Sequence, residues 1–354
     1  MLIIQKNVVF EGGQEGFPVY RIPTLLCTSE GTLLAICEAR LSIKDTSCNK
    51  LVLKRSTDEG NSWSPLQVIA DSGKDSLNNP CLVEDRASRR VLLHYQRYPY
   101  PLNELTVKPG LEGEGVVHSY QLASHDNGLS WSKPEDITCH VKRPTRVTSL
   151  ASGPGIGVQL TRGPRKGRIL IPFNQGPYGK WKVYAAYSDD GGQTWHMGET
   201  APGRGNEVQV VELTNGDVLL NARNFWGKMN RLVSVSHDQG ITWDRLQEDE
   251  TLIEPHCMAS IFRYAFDSHS GKGIILFSNP ASKKDRTNGT LRVSYDDGIT
   301  WSQAHLIEPG RFAYSCLAKL PSGDVGCLYE TGEKSGYEQI TFARLKLEIN
   351  EENQ

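Results

Sequence analysis

The amino-acid sequence predicts an all-β repeat architecture, and three observations predict it. First, one eight-residue box, Ser-x-Asp-x-Gly-x-(Ser/Thr)-Trp, recurs five times: STDEGNSW from Ser56, SHDNGLSW from Ser124, SDDGGQTW from Ser188, SHDQGITW from Ser236 and SYDDGITW from Ser294. Second, the chain between boxes consists of short apolar or alternating runs of strand length, such as GTLLAICEA, RILIPF, VQVVEL and GIILFS, punctuated by Gly, Asn, Asp and Pro. Third, successive boxes start 68, 64, 48 and 58 residues apart. Repeats at a period of tens of residues mark one supersecondary unit that has been copied. Dividing 354 residues by six gives 59 each, enough for four strands of about 5–6 residues with their turns. The expectation is therefore a six-bladed β-propeller of four-stranded antiparallel blades, formed by residues 1–354 as one domain. Seven blades would leave about 51 residues apiece, which only the tightest box spacing fits.

Each box has its own local logic. In KLVLKRSTDEGNSW, VYAAYSDDGGQTW, RLVSVSHDQGITW and TLRVSYDDGITW, a strand runs into an Asp-Gly turn that ends in Trp. The Asp accepts backbone hydrogen bonds within the turn, the Gly permits positive φ, and the Trp packs between neighbouring sheets. A second recurring phrase, TSEGTLL, LTNGDVLL and LPSGDVGCL, reads as a hairpin joining two strands. The opening MLIIQKNVVFEGG reads as a strand, and the final NEENQ is expected to fray. GPGIG at Gly153–Gly157 lacks a following Gly-Lys-Ser/Thr, so it reads as a turn rather than a phosphate loop.

Composition narrows the function classes. A net charge of −2 gives no electrostatic case for nucleic acid or an anionic membrane. No apolar run approaches the roughly 20 residues that span a bilayer. The start has no basic segment ahead of its apolar stretch, which Gln5, Lys6 and Asn7 interrupt, so it does not read as a secretory signal. Eight cysteines lie scattered without a Cys-x-x-Cys pair, and nine histidines show no metal spacing. Free, buried thiols in a cytoplasmic protein are expected, secretion with a leader missing from this sequence being the alternative. No metal or cofactor is expected.

YRIP at Tyr20–Pro23 resembles the N-terminal Phe/Tyr-Arg-Ile-Pro signature of exo-α-sialidases with Asp-box repeats. NEVQVVEL, LLNARN, NPASKKDRTNGTLRVSYDDG, FAYSCLAKL and GCLYE follow in that family's order, so the resemblance runs from about Val8 to Tyr329. It implies a six-bladed propeller that removes terminal sialic acids from a sialylated glycan or a small sialoside.

Such a substrate carries an ionised carboxylate on its anomeric carbon. Guanidinium suits that anion because its fork pairs with two oxygens and never deprotonates. The resemblance assigns this task to Arg21, Arg223 and Arg286, with Glu330 orienting the first. It assigns Tyr314 as nucleophile and Glu207 as its base. A neutral phenol avoids the repulsion that a carboxylate nucleophile would meet beside the substrate anion, but with an ordinary pKa near 10 it needs a base. Nearby arginines should favour its phenolate. Asp45, in EARLSIKD, matches the family acid/base, in competition with Asp58, Asp71 and Asp75, of which Asp58 already serves a box. Arg40 is a fourth cation near the sugar, or else half of a structural ion pair. Phe225, Trp226, Tyr178 and Trp181 either line the pocket or pack beneath it, with at least two expected to pack.

Two other classes stay in view. A binding-only propeller would keep boxes and arginines but lose Tyr314, Glu207 or Asp45, and all three are present. A protein-interaction propeller would lack the ordered arginines. Sialyl transfer shares every catalytic residue with hydrolysis and stays open.

Overall fold

The computed structural model describes residues 1–266 and 273–347. The expected frayed end, residues 350–354, lies outside them. Six sheets follow one another around an axis. Blade I holds β2 (Val19–Cys27), β3 (Leu33–Arg40), β4 (Lys50–Ser56) and β5 (Gln67–Ala70) in sequence order. Blade II is built from β6 (Ser76–Asp85), β7 (Arg90–Tyr98), β8 (His118–Ser124) and β9 (Glu135–Asp136). Blade III contains β10 (Leu150–Ser152), β13 (Ile169–Gln175), β14 (Lys182–Ser188) and β15 (His196–Met197). Blade IV runs through β16 (Val208–Glu212), β17 (Val218–Ala222), β18 (Asn230–Ser236) and β19 (Gln247–Ile253). Blade V has β20 (Ser260–Phe266), β21 (Gly273–Pro280), β22 (Thr287–Ser294) and β23 (Gln303–Arg311). Blade VI joins β24 (Ser315–Lys319), β25 (Val325–Thr331) and β26 (Gln339–Lys346) to β1 (Leu2–Glu11), so the first strand of the chain completes the last blade.

The six-bladed expectation holds, with one amendment. Blades II and III each gain a short fifth strand, and one pairing is parallel. The cause is GPGIG. Gly153 and Gly155 take φ of +57° and +114°, and Pro154 has no N–H to give to a ladder. The inner strand of blade III therefore breaks. Its middle piece, β11 (Gly155–Ile156), crosses to pair with β6, and β12 (Val158–Gln159) returns to β13. The expected turn is thus a break within an inner strand.

The boxes close the third-to-fourth strand connection in blades I to V. In blade I, Ser56 Oγ donates to Asp58 Oδ1 (2.7 Å) and accepts from Gly60 N (2.8 Å), while Ser62 N and Oγ donate to the two Asp58 oxygens (2.9 and 2.6 Å). The same set of bonds recurs around Asp126, Asp190, Asp238 and Asp296. Blade VI needs no box, because its third and fourth strands lie at opposite ends of the chain and no turn joins them. Each box glycine also meets the preceding blade. Gly60 has φ +87°, and a Cβ there would stand 2.2 Å from Phe342 of blade VI; at Gly192 it would stand 2.3 Å from Leu92 of blade II. The box is therefore both a turn and a joint between sheets.

The inter-blade core is apolar, with Trp63 edge-on to Phe342 (5.4 Å between ring centres) and Trp195 edge-on to His94 (4.7 Å). All eight cysteines are unpaired. Five are buried as expected; Cys27 and Cys48 are half-buried and Cys139 is exposed.

Candidate active site

Strand direction gathers chemistry at one mouth. The starts of the innermost strands and the loops between second and third strands lie there together. The first group brings Arg21, Tyr20 and Ile22 onto β2, Glu207 just before β16, and Tyr314 just before β24. The second supplies Asp45, Arg223 and Arg286.

On β2 the YRIP phrase makes an irregularity. The register slips between Arg21 and Thr24, and Ile22 takes φ +59°, an uncommon value for a β-branched residue. The Ile22 N–H, lost to the ladder, donates to Glu330 Oε1 (2.8 Å), and Arg21 Nε donates to the same oxygen (2.6 Å). Glu330 Oε2 accepts from the Tyr314 backbone N–H (3.2 Å). Glu330 is fully buried, so this one carboxylate fixes the arginine, its strand and the tyrosine's backbone. Burial works against the Arg21 charge, but the Glu330 carboxylate outweighs it and holds Arg21 above the ordinary arginine range.

The Tyr314 hydroxyl donates a short hydrogen bond to Glu207 Oε1. Arg223 Nη1 donates to Glu207 Oε2 (2.7 Å) and to the Tyr314 hydroxyl (3.3 Å). Cζ of Arg21 and of Arg286 lie 5.5 and 5.4 Å from the Tyr314 ring centre. The three guanidinium groups therefore surround one phenol. Arg286 Nη1 donates to the Tyr337 hydroxyl (3.1 Å) and Nη2 to the His256 carbonyl (3.0 Å). Arg21 and Arg223 are each paired with a carboxylate. Among the described residues Arg286 has only neutral hydrogen-bond partners.

The expectation for the Tyr314 phenol needs one correction of balance. Arg223 and Arg286 do pull its pKa down, but burial first and Glu207 second push it up by more, to well above 10. The resting phenol is neutral and already hydrogen-bonded to its carboxylate.

A cavity of about 490 Å³ opens beside this group. Arg40, Asp45, Glu207, Arg223 and Tyr314 all line it. Asp45 is the carboxylate of the four rivals that reaches the cavity; Asp58 sits in its box, and Asp71 and Asp75 pair with Lys50 and Arg97. The Asp45 side chain is 86% exposed and accepts from Arg40 Nη1 (2.9 Å). Arg40 lines the cavity and also forms a buried ion pair, with Glu38 (2.6 Å), the alternative foreseen for it. Of the four aromatic residues, Trp181 is buried and Phe225 packs between Arg223 and His256, while Tyr178 lines the cavity and Trp226 stands exposed.

Two acidic residues went unassigned in the sequence. Glu104 lines the cavity and accepts from Trp181 Nε1 and from Ser149 Oγ (3.0 Å). Burial pushes its pKa up despite those two donors. It lies in LNELT, an irregular stretch with no periodicity to mark it. Glu38 did carry a signal: residues two apart on a strand share a face, and Arg40 follows it by two.

A family profile described as BNR repeat-like domain matches residues 31–327. The chain is 34% identical over 94% of its length to a sialidase of Micromonospora viridifaciens, and 31% identical over 96% to a sialidase of Bacteroides fragilis. It spans 53% and 64% of those two proteins. The solved structure described as Hadza microbial sialidase Hz136 superposes with a TM-score of 0.87 at 29% identity, covering 97% of this chain and 68% of the other. The chain belongs to the sialidase family of BNR-repeat propellers.

Proposed function

We propose that the protein is a retaining exo-glycosidase that hydrolyses terminal α-linked sialic acids. One observation carries the reading: the Tyr314 hydroxyl is bonded to Glu207 and Arg223 within a ring of three arginines, beside a cavity that an exposed carboxylate overlooks. Arg21, Arg223 and Arg286 hold the substrate carboxylate. Asp45 protonates the glycosidic oxygen as the bond to the anomeric carbon breaks. Tyr314 gives its proton to Glu207 and its oxygen attacks that carbon through an oxocarbenium-like transition state. Asp45, now a base, takes a proton from water, which displaces Tyr314; Glu207 returns its proton to the departing phenolate oxygen, and the anomeric configuration is retained. The phenol's high resting pKa fits this order, since the nucleophile is released only as the proton moves to Glu207.

The test is release of a fluorophore from an α-sialoside, with trapping by a 2,3-difluorinated sialic acid and mass analysis of the peptide holding Tyr314. Wild type should gain one sugar there, and Tyr314→Phe should gain none. A trapped sugar on Tyr314→Phe would assign the nucleophile elsewhere, and no release by wild type would remove the enzymatic reading.

A further inference from the structure

Beneath Asp45 lies a network built on a residue with no direct part in the reaction above. Glu38 is fully buried on β3. Its Oε2 accepts from Arg40 Nε (2.8 Å), Arg40 Nη2 (2.6 Å), Asn49 Nδ2 (3.2 Å) and Asn78 Nδ2 (3.4 Å), and its Oε1 accepts from the Asn79 backbone N–H (2.7 Å). The same three side chains all reach Asp45. Asn49 and Asn78 each donate to the Asp45 carbonyl (2.6 and 2.8 Å), and Arg40 Nη1 donates to Asp45 Oδ1 (2.9 Å). Arg40 Nη1 also lies 3.4 Å from the Ile43 and Lys44 carbonyls.

This convergence is unusual for an exposed loop. Residues 41–48 form no strand or helix, and the Asp45 side chain stands in solvent. A loop of that kind would ordinarily sample many positions. A proton donor must instead stay within hydrogen-bond reach of one oxygen. A buried carboxylate costs several kcal/mol unless its lone pairs are filled, and here five donors fill them. Burial pushes the Glu38 carboxyl up to about 7, while Arg40 and the Asn79 amide favour the anion. A fold that merely needed to seal this space would do so with an apolar side chain.

We infer that Glu38 is a positioning residue for proton donation: it fixes Arg40, Asn49 and Asn78, and through them sets where the Asp45 carboxyl stands over the cavity. The inference rests on reading Asp45 as the acid. It separates Glu38 from Glu330, which performs the matching task for Arg21 and Tyr314.

A leaving-group comparison tests it. A sugar aglycone departs only with a proton, whereas 4-nitrophenolate departs with little help. Glu38→Gln keeps the side-chain volume but removes the charge that gathers the network. Its kcat/KM on sialyllactose, which reports the acid-assisted formation of the covalent intermediate, should fall about 100-fold, within the range ascribed to general acids, while kcat/KM on 4-nitrophenyl α-sialoside stays within about threefold. Asp45→Ala should show the same split. If Asp45→Ala splits the substrates and Glu38→Gln slows both equally or neither, the positioning role is overturned and the proposed mechanism stands. If neither variant splits them, the acid assignment fails and the inference falls with it. Should Glu38→Gln not fold by circular dichroism, the Asn49→Ala/Asn78→Ala double variant takes its place, since it leaves the Glu38–Arg40 pair intact. It should still split the substrates by about tenfold or more; equal losses on both would overturn the role.

Discussion

Arg21 Nε and Glu330 Oε1 meet at 2.6 Å across 309 residues of chain, one on the first blade and the other on the last. The pair is buried on both sides, and it sits where the ring of blades closes. Removing one partner strands the other charge in a dry site. Glu330→Gln should lower stability by about 3 kcal/mol in urea unfolding, and the KM for a sialoside should rise about tenfold or more as Arg21 loosens. Unchanged KM with lowered stability would make the pair a structural seam alone.

The joint between blades gives a second expectation. An alanine at Gly60 must adopt φ near +87° and force its methyl into the Phe342 ring. Gly60→Ala should cost about 2–4 kcal/mol, from left-handed strain and overpacking together. Gly13, also at positive φ but with open space around its missing Cβ, supplies the control. Gly13→Ala should cost only the strain, about 1–2 kcal/mol.

Acid should undo the boxes. Slight burial pushes Asp190 up, but hydrogen bonds from Thr194, Ser188 and the Gln193 amide hold it down at about 2. A depressed carboxyl stabilises the fold above its unfolded pKa of about 4 and loses that contribution as pH falls toward its folded value. The melting temperature of wild type should therefore exceed that of Asp190→Asn at pH 6, and the gap should close as pH falls from about 4 to about 2. A gap independent of pH would mean that shape, not charge, is what the turn needs.

The neutral resting phenol is open to spectroscopy. Burial and the neighbouring Glu207 hold Tyr314 well above 10. In a difference titration against Tyr314→Phe, phenolate absorbance from Tyr314 should be absent at pH 10, where an ordinary tyrosine is half ionised. A phenolate signal near neutrality would show that the arginines win.

Much of this was legible because it is local. A box needs only eight residues to specify its turn, and five copies fix the repeat. Arg21, Arg223, Arg286, Glu207 and Tyr314 stood in short phrases whose likeness to known propellers pointed to them. What stayed hidden depends on distant segments meeting. Glu38 shows only its two-residue spacing from Arg40 until Asn49 and Asn78 arrive beside it, and Glu104 shows nothing until Trp181 and Ser149 cover it. The net direction of the Tyr314 shift likewise needed the depth of its burial, which residue types do not state. GPGIG was legible as a break in regular structure, but its crossing to β6 was decided by which neighbour offered a free ladder.

The pairing of β1 with β26 has a consequence for synthesis. During translation Leu2–Glu11 leaves the ribosome long before its partner, Gln339–Lys346. Until then it has no seat, and the ring stays open. A prematurely terminated copy would carry an uncapped sheet edge at that gap, a surface on which quality control can act. Completing the circle is thus a molecular proof that the message was read through the strand that seats β1.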